Sequence, residues 1–214
     1  MKKSLAFFRT IGILLVPTMA LFADVVSFTG LPANTDYNTY NGFVSGTIDG
    51  LPFDDLICDD YGHVTRVPSG NLDYNVSTLN SLQYARFVSP GGPTGADIQN
   101  YEAAAILVQG LIDNPGEVSA YQYALWELFT PSAPNYGQAL LTDALNQVQG
   151  DVSGYADLFS KLRIYTPTGD SVTNQEFLEI DPPPASVPEP GSIILLLTGV
   201  ALIVLSRISR RASE

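Results

Sequence analysis

The 214-residue sequence carries one cysteine, Cys58, and one histidine, His63, so any thiol chemistry runs through a single sulfur. No intramolecular disulfide can form, and an unpaired cysteine in a chain bound for an oxidising compartment needs a reason. Cys58 follows Leu56 by two in an apolar, strand-like run. Their side chains therefore share a face, and apolar Leu56 points that face at the core. Gln122 is the second oddity. Val118, Gln122, Leu125 and Phe129 recur at spacings of four, three and four, one seam of a helix. A primary amide in such a seam costs about 1–3 kcal/mol unless its hydrogen bonds are met. Trp126, one turn on, can cover it. Both residues also have quieter uses: a buried Cys as a small hydrophobe, and a seam Gln bonded to backbone.

Two other groupings bear on chemistry. His63 lies five residues beyond Cys58, across Asp59-Asp60-Tyr61-Gly62, and a turn there would allow the imidazole–thiol contact that a cysteine hydrolase needs. No sequence signature accompanies it, and a lone His at a strand start is ordinarily a surface residue. Asp54, Asp55, Asp59 and Asp60 are a possible calcium set, but the loop spacing of an EF-hand is absent. A solvated acidic edge that discourages strand pairing explains them more simply. With one His and one Cys, no transition-metal site is expected, and no cofactor is implied.

The elements that must position these residues are β first, then α. Val25–Phe28, Phe43–Ile48, Phe53–Cys58, His63–Val67 and Leu72–Leu79 read as short strands, with an Asp49-Gly50 hairpin turn. Pro90-Gly91-Gly92-Pro93 breaks the pattern, and the period turns helical. Asp97 is a candidate cap for a helix carrying Ile98, Tyr101, Ala105, Val108 and Ile112 on one face. Further helices are expected over Glu117–Phe129, Asn135–Gln149 (closed by Gly150) and from Asp151, with Val152, Tyr155, Phe159 and Leu162 in register. Arg163–Tyr165 and Glu176–Ile180 read as returning strands. The expected class is α+β: a β-rich N-terminal half, a helical second half, closing strands and a C-terminal transmembrane helix.

Both ends of the chain read as addresses. Lys2, Lys3 and Arg9 with the apolar run to Phe22 form a signal peptide (1–23), cleaved after Ala23 or, as second choice, Ala20. At the other end, residues 181–191 form a Pro-rich linker, 192–206 an uncharged apolar helix, and 207–214 a basic cytoplasmic tail with Arg207, Arg210 and Arg211. Discounting these ends, four basic residues (Arg66, Arg86, Lys161 and Arg163) face 20 acidic ones between Asp24 and Val187, a net charge of −16. Such a surface repels nucleic acid, which is excluded as a partner.

Val187-Pro188-Glu189-Pro190-Gly191, the apolar run and the terminal arginines resemble the PEP-CTERM sorting signal of exported bacterial proteins. The resemblance covers about the last 28 residues and implies an exosortase as partner, a passage through the inner membrane, and a final place at the cell surface or in extracellular matrix.

A second resemblance covers roughly Phe53 to Phe129. Leu56-Ile57-Cys58-Asp59 looks like an apolar-apolar-Cys-polar motif, and Gln122-Tyr123-Ala124-Leu125-Trp126 like Gln-x-Ala-aliphatic-Trp, with Ala-rich Glu102-Ala103-Ala104-Ala105 between them. Together they resemble the thioester domains of bacterial surface adhesins. The resemblance implies that the Cys58 thiol and the Gln122 amide condense with loss of ammonia. The product would be an internal thioester able to capture a surface amine or hydroxyl. One bond between Cys58 and Gln122 would account for both oddities, with Leu56, Leu125 and Trp126 as an apolar wall against water. The expectation is thus a non-enzymatic α+β ectodomain (24–180) used in adhesion. The alternatives are a purely structural envelope or matrix protein without a reactive bond, or a cysteine hydrolase.

Overall fold

The structure is a computed structural model and describes residues 23–180 apart from 33, 37 and 38. The expected linker, apolar helix, basic tail and all but the last residue of the signal peptide lie outside the described residues. Among the described residues no helix is long and apolar enough to cross a membrane.

Six strands close into an antiparallel barrel: β1 (Asp24–Gly30), β4 (Val44–Ile48), β5 (Leu51–Cys58), β6 (Leu72–Ser77), β7 (Arg163–Pro167) and β8 (Phe177–Glu179), in the spatial order β1-β4-β5-β8-β7-β6. A separate small hairpin, β2 (Asn34–Asp36) and β3 (Thr39–Asn41), occupies the polar stretch before β4. Four α-helices are inserted between β6 and β7: α1 (Gly95–Asp113), α2 (Val118–Phe129), α3 (Gln138–Gln149) and α4 (Ala156–Lys161). The architecture is therefore α+β, with the N-terminal strands and the two closing strands sharing one barrel.

The Asp49-Gly50 turn forms as its residues dictate. Ile48 pairs with Leu51, and both turn residues take positive φ (50° and 81°), the geometry of a two-residue hairpin. β5 contains a bulge that its sequence hides. Val44 faces Leu56 and Gly46 faces Phe53, so β5 spends one residue more than β4 over this stretch. The extra residue falls at Asp54-Asp55, which stay outside, and it reverses the alternation. Phe53, Leu56 and Cys58 consequently all face the barrel interior, packed with Val26, Phe28, Tyr74, Tyr165 and Phe177.

The opposite side of β5, β8 and β7 is covered by the helices. Ile57, Ile164 and Leu178 pack there with Tyr101, Leu107, Val108 and Leu125. Over Leu56–Cys58, Ile164–Thr166 and Phe177–Glu179 the three strands are buried on both faces, which is why those residues show little polar alternation.

Several expected elements differ in detail. No strand forms over His63–Val67, since the closed barrel leaves no free edge for it. That loop is fastened by side chains instead: Ser69 Oγ accepts from Phe28 N at 2.8 Å, and Gln175 Oε1 accepts from Thr65 N at 3.2 Å. Thr94, not Asp97, caps α1; Asp97 is the reciprocal partner of a capping box. Ile98 and Ile112 at the ends of the expected stripe are exposed, while Ala103, Ala104 and Ala105 are all buried. α1 is the central helix, packed by α2 and α3, so its buried surface is wide rather than a single stripe. Asp151 caps a 3-10 turn (Val152–Tyr155) that leads into α4.

Candidate functional site

Cys58 is the last residue of β5, and Gln122 lies one turn into α2. Both are buried and both line one cleft of about 290 Å³, with Trp126, Tyr61, His63 and Gln175 among its other walls. The Gln122 amide is held at both ends. Its Nε2 donates to the Cys58 carbonyl oxygen at 2.5 Å, and its Oε1 accepts from the Gly42 backbone N–H at 3.2 Å. These two partners fix which way the amide points, since a carbonyl can only accept and a backbone N–H can only donate. The hydrogen bonds that the seam position demanded are thus supplied across a separation of 64 residues to β5 and 80 to the β3–β4 corner.

Gly42 is a site residue that the sequence reading missed. Its φ is +109°, and a Cβ there would stand 3.0 Å from Val118 Cγ1. Only glycine brings a main-chain N–H this close to the Gln122 carbonyl. No periodicity marks it; its place between two short strands is its sole signal.

The Cys58 sulfur is held by the main chain of Asp60. Sγ accepts from Asp60 N at 3.3 Å and lies 3.3 Å from Asp60 O, toward which the thiol donates. Burial pushes the thiol well above its ordinary range, so it stays protonated at neutral pH. The Trp126 indole N–H makes no hydrogen bond of normal geometry but favours the thiolate, offsetting part of that rise. Trp126 also packs against Tyr61 and Tyr123, with centroids at 5.3 and 5.1 Å, and forms the cover over the amide. Of the expected apolar wall, Trp126 lines the cleft. Leu56 is buried in the barrel and Leu125 among the helices, so each supports the site from behind.

Asp59 and Asp60 are not a solvated edge: both are fully buried. Asp54 is exposed and Asp55 half-buried in the bulge, so the four acids do not converge. Among the described residues no group of three or more His, Cys, Asp or Glu side chains is placed to hold a metal ion. Asp60 binds the Arg86 guanidinium, the Gly62 N–H at 3.0 Å and His63 Nδ1 at 2.9 Å. His63 pairs with Asp60 through Nδ1, and the Cys58 sulfur is bonded to the Asp60 main chain and not to the imidazole.

Asp59 turns to the helical side, toward Glu176. Glu176 accepts from Tyr101 Oη at 2.6 Å, Arg86 N at 2.7 Å and the Thr166 hydroxyl. Burial, then the Glu176 charge, raises Asp59 far above the usual carboxylate range, and it keeps its proton against Glu176.

No protein-family profile and no curated protein matches the sequence. Among solved structures, the chain is similar to the N-terminal thioester domain of a surface protein from Clostridium perfringens, at 12% identity and a TM-score of 0.43, over 73% of this chain and 97% of that one. It is also similar to the N-terminal domain of the Streptococcus pyogenes pilus tip adhesin Cpa, at 12% identity and a TM-score of 0.44, over 78% of this chain and 97% of that one.

Proposed function

We propose that Cys58 and Gln122 condense to an internal thioester, and that the domain uses this bond to attach covalently to an amine or hydroxyl on a target surface. The observation that carries the reading is the double restraint of the Gln122 amide in the cleft it shares with Cys58. In the condensation, Sγ attacks Gln122 Cδ, the C–N bond breaks, and the thiol proton leaves on the departing ammonia. Burial that keeps the thiol protonated keeps that proton at hand. The Gly42 N–H is aimed at the oxygen on which negative charge develops, the role of an oxyanion-hole donor. Trp126 limits water, the competing nucleophile.

With the export signals expected at its ends, the domain would act at the cell surface or in extracellular matrix after recognition by an exosortase. On that reading, surface-exposed molecules lack peptides from Ser192 onward. Intact Arg210-Arg211 peptides on most of them would reduce the tail to a plain anchor.

Intact mass spectrometry tests the bond. The protein should weigh about 17 Da less than its sequence, one ammonia, and methylamine should abolish the deficit and appear on Gln122. Cys58→Ala should show neither effect. An unreactive envelope protein is the second reading, favoured by the hydrogen bonds that already satisfy Sγ. A full sequence mass with a free Cys58 thiol after unfolding would establish that reading and end the first.

A further inference from the structure

The cleft contains a basic nitrogen that thioester formation does not use. His63 lines it together with Cys58 and Gln122, and its side chain is 43% exposed, open to an incoming molecule. Both Asp60 carboxylate oxygens lie 2.9–3.0 Å from Nδ1. An ionised carboxylate only accepts, so Nδ1 carries the hydrogen, and in the neutral ring it is Nε2 that has the lone pair. Asp60 is itself immobilised, 1% exposed and clamped by Arg86 and Gly62 N. The same residue holds the Cys58 sulfur through its backbone. One residue thus fixes the imidazole with its side chain and the sulfur with its main chain.

We propose that His63, oriented by Asp60, is the general base for opening the thioester, which suits the site to hydroxyl-bearing acceptors such as a carbohydrate or a Ser/Thr surface. This rests on the thioester reading above. An unprotonated amine attacks unaided, whereas a hydroxyl is a poor nucleophile until a base takes its proton. The hydroxyl oxygen bonds to Gln122 Cδ and its proton passes to His63 Nε2. The C–S bond breaks with its electron pair on Sγ, and His63 returns the proton to the sulfur. The products are an ester on Gln122 and a free Cys58 thiol, with nothing else consumed. The titratable and charged groups around the imidazole are Asp60 and Tyr61 on its own turn, Cys58 on β5, Tyr40 on β3, Arg86 bound to Asp60, and Arg66, which lines a second pocket with His63.

The test uses the full-length protein and two probes, glycerol as hydroxyl and methoxyamine, an amine already unprotonated at neutral pH. His63→Gln should keep the ammonia deficit, lose about 100-fold in the rate of glycerol ester formation, and react with methoxyamine at the wild-type rate. In the wild type, the glycerol rate should rise with a single ionisation that the variant lacks. His63 is the only histidine, so diethyl pyrocarbonate applied after the bond has formed gives the same answer without a variant. One carbethoxyl group should stop the glycerol reaction and spare that with methoxyamine. A deficit with an unchanged glycerol rate in both experiments overturns the assignment of His63 alone. Absence of the deficit in the wild type overturns the thioester and this assignment together.

Discussion

Glu176 and Glu179 lie three residues apart at the last strand of the barrel, both fully buried, on opposite sides of its wall. On the helical side, Glu176 accepts from Tyr101, Thr166 and the Arg86 N–H. On the barrel side, Glu179 accepts from Tyr165 Oη at 2.7 Å, and its Oε1 has no partner. Burial, with a contribution from Asp55, lifts Glu179 to about 7, against an ordinary value of 4.5. The number of donors separates the two. Burial raises both acids; the several donors on Glu176 work against that rise and fasten strand to helix, whereas Glu179 has a single donor.

The largest effect should follow from removing the fastener. Glu176→Ala strands three buried donors at about 1–3 kcal/mol each, so a loss of at least about 3 kcal/mol is expected. It would be read as a fall in the urea midpoint at an unchanged m-value. A loss near zero would mean that water reaches the cluster and that the two sides do not differ.

The intermediate effect concerns pH. Glu179 binds its proton more tightly folded than unfolded, so its contribution favours folding at low pH. That contribution is lost as pH rises from about 4.5 to about 7 and is level above. Glu179→Gln should therefore gain stability relative to the wild type across that window, in urea midpoints taken at both ends of it. Parallel curves would mean that Glu179 holds its proton no more tightly in the folded state than in the unfolded one. The smallest effect refines the donor count. Thr166→Val removes one hydroxyl from Glu176 and leaves the others, costing about 1 kcal/mol.

The sequence exposed the local rules and hid the global ones. The Asp49-Gly50 turn, the Gly150 stop after α3 and the returning strands are all readable, because each depends on a few adjacent residues. Cys58 and Gln122 were legible as misfits in their own elements. What brings them into one cleft is the barrel's closure and the docking of α2, which no local pattern records. The bulge at Asp54-Asp55 was visible only as an interruption, although it sets the face on which Cys58 stands. Burial of Asp59 and Asp60 was misread because Arg86, which pairs with Asp60, and Glu176, against which Asp59 keeps its proton, arrive from elsewhere in the chain. Gly42 gave only a weak signal, since a glycine between two strands has many uses.

The barrel's wall is completed by β8, which joins β5 on one side and β7 on the other. Cys58 pairs with Phe177, more than a hundred residues later. A chain synthesised N-terminus first delivers β5 early and β8 last of all the described elements. Until the final strand emerges, the wall beside Cys58 is open and the main-chain partner of Asp59 N, the Glu176 carbonyl, is missing. Pairing between such distant segments is slow to nucleate. The cleft is therefore built on a timetable set by the chain's own order: it exists only once the whole domain has arrived where it folds.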